Sequence, residues 1–259
     1  MKTITIKDWP GPVGELQVHH NLPAPPSNYN ACLARNVGDI VMHYTGNKQD
    51  TARGNANYFH TGSRGASAHF FVDETSIWQS VGLRDMAWHF SADKYKHPTA
   101  RNYNTIGIEM CTSGGYQVSE KTKENGARLC AEMCKLLNIG PSEVDKHVHR
   151  HWDMTGKNCP AQMAGEGNQE WAQFKARVKQ ILEGDDEMLS YEDFKKYMER
   201  YNQEQAKKPI APWAEKQIEQ VEAAGVMTRD SKGNFRPQSL ITRQEVAVIT
   251  AGVLKKANR

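Results

Sequence analysis

Ile40-Val-Met-His-Tyr44 runs directly into Thr45-Gly46-Asn47. A run of apolar residues this short, closed by a Gly-Asn pair, reads as a buried strand ended by a turn. His43 therefore falls near a strand end, where sites on mixed sheets are often built. Moving outward, Thr51 to Gly62 carries helical spacing through Ala52, Ala56, Tyr58 and Phe59. Ala68-His-Phe-Phe-Val72 and Ile77-Trp-Gln-Ser-Val81 flank Asp73-Glu-Thr-Ser76 as two hairpin strands. Thr105-Ile-Gly-Ile-Glu-Met-Cys111 alternates as a further strand, and Lys121–Leu137 and Gln169–Leu182 are amphipathic helices. Interleaved strands and helices predict an α/β class with a mixed central sheet flanked by helices.

Residues 1–37, rich in Pro, Asn and Gly, predict an irregular lead-in wrapped on this core. At the other end Gly184-Asp-Asp-Glu187 breaks the pattern, and Tyr191–Lys208 is a highly charged, solvated helix. Apolar periodicity returns in Trp213–Ala224 and Arg243–Leu254, around a Gly-rich turn. The predicted division is a main α/β domain at 1–183, a helical linker at 184–208 and a small helical C-terminal unit at 209–259. Some 50 residues are marginal for an independent core.

No apolar run approaches the roughly 20 residues that cross a bilayer, so no membrane insertion is expected. Behind Met1-Lys2, Ile4 and Ile6 alternate with polar residues, which is no secretory h-region. A net charge of +3 is too small and too dispersed to argue for nucleic acid. Five cysteines form no small-protein disulfide framework, and Cys130 and Cys134, four apart on a helix, read as buried thiols.

His151-Trp-Asp-Met-Thr-Gly-Lys-Asn-Cys-Pro160 is rich in turn residues, and Gly156 and Pro160 let the chain fold back. A loop of that length brings a nitrogen and a thiolate to one metal, and two His plus one Cys leave a catalytic zinc one position for water. His147 and His149 compete with His151, since all three share one face of an extended strand at period two. Cys159 near a histidine also admits a thiol nucleophile, but the strand histidine His43 then stands idle.

Val41-Met-His-Tyr-Thr45, Ser67-Ala-His-Phe-Phe-Val-Asp73, Ala87-Trp-His89, Asn104-Thr-Ile-Gly-Ile-Glu109 and Thr155-Gly-Lys-Asn-Cys-Pro160 follow one another in order. Together they resemble the zinc-dependent N-acetylmuramoyl-L-alanine amidases of the phage-lysin and peptidoglycan-recognition-protein type, over roughly residues 35–165. The resemblance implies that family's fold, with Zn2+ on His43, His151 and Cys159. It places Glu109 at a catalytic glutamate, Lys157 beside the reacting carbonyl and His89 near the substrate groove. Some family members have a tyrosine where this chain has Ala68, which moves the proton-transfer role onto Glu109. His69 reads as a packed residue beside Phe70.

Trp213-Ala-Glu-Lys-Gln-Ile218, Ala224-Gly-Val-Met227, Gly233-Asn-Phe-Arg-Pro237 and Ile241-Thr-Arg-Gln-Glu-Val246 resemble one S-layer homology repeat. Thr242 and Glu245 also form a capping box. The resemblance implies secondary wall polysaccharide as a partner, with Arg243 a candidate contact. A single copy leaves open a homo-oligomer that rebuilds a multi-repeat site. The expected function is hydrolysis of the amide between N-acetylmuramic acid and L-alanine in peptidoglycan. A phage or prophage endolysin, cytoplasmic until it is released to the bacterial cell wall, is the expected setting. A non-catalytic peptidoglycan-binding module is the alternative.

Overall fold

A computed structural model describes residues 1–184, 191–206, 208–229, 233, 235 and 243–257. Two compact units divide the chain, Met1–Asp186 and Glu187–Arg259. In the first, the strands are β1 (Lys2–Ile4), β2 (Val18–His19), β3 (Tyr29–Asn30), β4 (Arg35–Val37), β5 (Asp39–Tyr44), β6 (Phe70–Val72), β7 (Ile77–Gln79), β8 (Met86–Ala87), β9 (Thr105–Met110) and β10 (Val148–Arg150). Its helices are α1 (Ala52–His60), α2 (Glu120–Leu137), α3 (Val144–His147), α4 (His151–Thr155) and α5 (Gln169–Glu183).

Six strands form the central sheet in the order β10-β5-β9-β6-β7-β2. Only β6 and β7 pair antiparallel, as the hairpin reading requires; the other neighbours run parallel. The hairpin turn is built by Asp73, whose carboxylate accepts from the Thr75 and Ser76 amides and from Ala52 at the start of α1. One short acidic side chain thus ties the turn to a helix N-terminus.

Pleating gives β5 and β9 two different faces. Ile40, Met42, Ile106, Ile108 and Met110 join the main core with Ala127, Leu129, Cys130 and Cys134 of α2 and Trp171, Phe174 and Val178 of α5. Val41 and His43 of β5, and Thr105, Gly107 and Glu109 of β9, occupy the alternate positions. Register pairs His43 with Glu109 and Val41 with Gly107. Helix α2 is positioned by its ends: Ser119 Oγ accepts from the Thr122 amide at 3.2 Å, and Asn138 closes it in the left-handed conformation.

Two expectations change. The lead-in is not wholly irregular: β1 pairs with β4, β3 with β8, and β2 forms one edge of the main sheet. Segments of two or three residues carry too little periodicity to be read without their partners. Nor do His147, His149 and His151 share a strand face. They fall on α3, β10 and α4, because the strand between the helices is only three residues long.

The second unit contains α6 (Tyr191–Ala206), α7 (Glu215–Ala223) and α8 (Arg243–Ala257). Ile218 is buried within it, whereas Trp213 and Val248 are exposed. Arg243 opens α8, and its side chain, like Thr242 and most of the Gly-rich turn, lies outside the described residues. Among the described residues no helix is long and apolar enough to cross a membrane.

Candidate metal centre and groove

The site is assembled from three consecutive strands and one loop. β5 supplies His43 and β9 supplies Glu109 beside it; β10, on the other flank of β5, delivers the chain into α4, whose first residue is His151. Helix α4 lasts five residues and stops at Gly156, whose φ of 82° a side-chain-bearing residue rarely adopts. The chain then doubles back: the Trp152 amide donates to the Cys159 carbonyl at 2.9 Å, which brings the Cys159 thiol under β5. Sγ of Cys159 lies 3.9 Å from the Tyr44 carbonyl and 3.8 Å from His43 Nδ1.

His43, His151 and Cys159 are all buried, and each offers a ligand atom within 4.8 Å of the others. Nδ1 of His43 faces Nδ1 of His151 at 3.1 Å. A tetrahedral zinc with bonds of about 2.05 Å to nitrogen and 2.3 Å to sulfur sets two nitrogens about 3.3 Å apart and nitrogen and sulfur about 3.6 Å apart. The His43–His151 and His43–Cys159 spacings, 3.1 and 3.8 Å, match that geometry within a few tenths of an ångström. Glu109 Oε2 is moreover buried without a hydrogen-bond partner. The residues present therefore fit a zinc ion.

Electrostatics agree. Burial lowers His43 well below the usual histidine range and, with Lys157, brings His151 down to about 4, so both rings are neutral and have lone pairs to give. Burial, reinforced by Glu109, pushes the Cys159 thiol up to about 12. A dication reverses that penalty by stabilising the thiolate. Burial also pushes Glu109 up to about 8, against the pull of Lys157. Its Oε1 lies 3.9 Å from His43 Nδ1.

Beside the cluster opens a groove of about 780 Å³, lined by Trp88, His89, Phe90, Asn102, His151, Thr155 and Lys157 among others. The expected site residues of the first unit thus converge, with Lys157 on the groove wall. His89 borders the groove, but both its nitrogens are engaged inside the protein, with His43 Nε2 and Thr105 Oγ1 at 2.9 Å each. The competing histidines go elsewhere: His147 and His149 lie 3.0 and 3.4 Å from Asp39 Oδ1. His69 is fully buried, accepting from the Gly107 amide at 3.0 Å, and Ala68 packs in an apolar cluster with Ala52 and Phe71.

Comparison with known proteins matches residues 34–162 to the N-acetylmuramoyl-L-alanine amidase family and residues 207–247 to the S-layer homology domain. The chain carries an amidase domain of that family. A probable N-acetylmuramoyl-L-alanine amidase of Bacillus licheniformis is 32% identical over 155 residues, 56% of this chain and 42% of the relative. The amidase BlyA of Bacillus subtilis is 31% identical over 160 residues, 57% of this chain and 42% of that protein. The chain therefore spans about two-fifths of the length of these curated relatives. Among solved structures, that of PlyL aligns with a TM-score of 0.52 at 25% identity, covering 63% of this chain and 98% of PlyL. The amidase domain holds all three candidate ligands, Glu109 and Lys157.

Two residues of the amidase site escaped the sequence reading. Gly107 lies where a Cβ would stand 2.5 Å from the His89 ring, so it serves as the floor for that imidazole. Thr105 holds the ring's far nitrogen. A glycine inside a strand was the available signal, since it marks a close approach.

Proposed function

We propose that this chain is a peptidoglycan hydrolase that cleaves the amide between N-acetylmuramic acid and L-alanine, with zinc held by His43, His151 and Cys159. The convergence of those three buried ligand atoms beside Glu109, in a domain of this family, carries the reading. Bound there, zinc would lower the pKa of a coordinated water toward about 7 and polarise the substrate carbonyl. Glu109, paired with His43 across adjacent strands, takes the proton of the attacking water and returns it to the leaving alanine nitrogen. Lys157 on the groove wall offsets the negative charge that develops on the carbonyl oxygen.

The S-layer homology match supports a wall-polymer partner for the second unit, with Arg243 a contact for secondary wall polysaccharide and self-association through the single repeat as a further property to measure. The setting we propose is a phage or prophage lysin acting at the bacterial cell wall. Mass spectrometry of purified wall after digestion tests the reaction. New N-terminal alanine is expected, abolished by chelation and restored by zinc, and nearly absent with Glu109→Gln. New reducing sugar instead, or cleavage undiminished after zinc removal, refutes it. Wall binding without cleavage by the zinc-loaded chain assigns it as a binding module.

A further inference from the structure

The Thr105 hydroxyl has one proton, and it donates that proton to the Arg101 carbonyl at 2.9 Å. Toward His89 Nε2, also 2.9 Å away, the same oxygen can then only accept, so that nitrogen carries the ring's proton. His89 Nδ1 is left with its lone pair and accepts from His43 Nε2 at 2.9 Å. His43 therefore bears its proton on Nε2 and turns a lone pair on Nδ1 toward His151 and Cys159. A backbone carbonyl, which can only accept, thus sets the direction of every bond behind it. With the opposite direction, His43 would hold a proton on the atom that must ligate.

We infer that Arg101 carbonyl, Thr105 and His89 form a one-way hydrogen-bond relay that selects the ligand-competent tautomer of His43, and that His89 is a positioning residue rather than a substrate contact. The frame around the relay is built to hold it. The Arg101 carbonyl sits at a turn in which Asn104 Oδ1 accepts from the Arg101 amide at 2.7 Å and the Asn104 amide donates back to that carbonyl at 3.1 Å. Thr105 follows at once as the first residue of β9 and is fully buried. Gly107, on the same face two residues on, clears the space in which the His89 ring lies. Phe90 stands edge-on to that ring at 4.8 Å between centroids. Imidazole ligands of metals depend on such partners for ring orientation and tautomer, and losing one costs about 10–100-fold in metal affinity.

The inference rests on the zinc reading of this site and is tested with Thr105→Val, Thr105→Ser and His89→Phe in the full chain. Zinc alone is the probe, titrated against a chelator of known affinity, and nitrogen-15 NMR of the histidine rings reads the His43 tautomer before zinc is added. Thr105→Val keeps the side-chain volume and loses the relay, so zinc binding is expected to weaken about 10-fold or more, with His43 divided between tautomers. Thr105→Ser keeps the hydroxyl and should bind zinc within about 2-fold of wild type, with Nε2 protonated; His89→Phe should behave like Thr105→Val. A His43 tautomer unchanged in Thr105→Val, or equal zinc affinity in the valine and serine variants, overturns the relay. Failure of the wild type to bind zinc instead overturns the metal reading, and the tautomer measurement still decides the relay. Thermal unfolding of each variant separates loss of fold from loss of the relay, and the Thr105 pair decides the matter even where His89→Phe does not fold.

Discussion

Gly107→Ala places one methyl group where the structure has least room for it. The added Cβ would stand 2.5 Å from Cγ and Nδ1 of His89 and 2.9 Å from Cδ2. Ordinary contact begins near 3.5 Å, so strand and ring must separate by about 1 Å. The strand resists, because β9 is hydrogen-bonded between β5 and β6. The ring resists too, being held by His43 and Thr105 at its two nitrogens. A 1 Å retreat stretches the 2.9 Å bond to His43 beyond hydrogen-bonding distance. Overpacking of this kind costs about 1–3 kcal/mol, less about 0.4–1 kcal/mol gained because alanine restricts the unfolded chain. A net loss of about 1–2 kcal/mol corresponds to a fall in Tm of roughly 2–8 °C in a domain of this size. Zinc affinity should fall at least about 10-fold with it. Differential scanning calorimetry and chelator competition measure the two. Gly126→Ala is the control: its Cβ meets Met110 Sδ at 3.1 Å, a flexible thioether, inside helix α2. Alanine gains about 1 kcal/mol of helix propensity there, so stability should stay within about 1 kcal/mol of wild type. A Gly107→Ala protein with unchanged Tm and undiminished zinc affinity refutes the close-contact argument.

Cys159→Ser, which replaces the thiolate by a neutral alcohol, should reduce zinc from near one per chain to near none after dialysis, as read by atomic absorption. Lys157→Met should lower kcat by about 10²–10³-fold at unchanged zinc content, and an unaltered kcat removes Lys157 from the reaction. Glu124 is held below its ordinary carboxylate range chiefly by its hydrogen bond from Arg177, which joins α2 to α5. A depressed folded value means that the stabilisation is complete above the unfolded pKa near 4.5 and is lost as pH falls through the lower folded one. Glu124→Gln should therefore cost about 1 kcal/mol at pH 7 and progressively less below pH 4.5, followed by urea titration at each pH. A difference that is constant with pH contradicts the assignment.

The longer elements were legible because their periodicity is local. Ile40–Tyr44, the hairpin around Asp73, Thr105–Cys111 and the two amphipathic helices all begin and end within two residues of the bounds their periodicity predicts. The short strands of the first 37 residues were not, since two-residue strands exist only through their partners. In the site, His151, Lys157 and Cys159 were recognisable as a closely spaced set, and His43 as a histidine at a strand end.

What the sequence by itself determined is therefore the donor types and their order: two histidines, a cysteine, a glutamate and a lysine on segments whose class is locally encoded. What only the tertiary structure decided is how the histidines are partnered. His147 and His149 were turned to Asp39 and His89 was turned inward onto His43, because strand order and register bring together residues 46 and 108 positions apart. The physical reason is that a nitrogen's role depends on the proton it carries, and that proton is set by neighbours across the sheet, down to the carbonyl of Arg101.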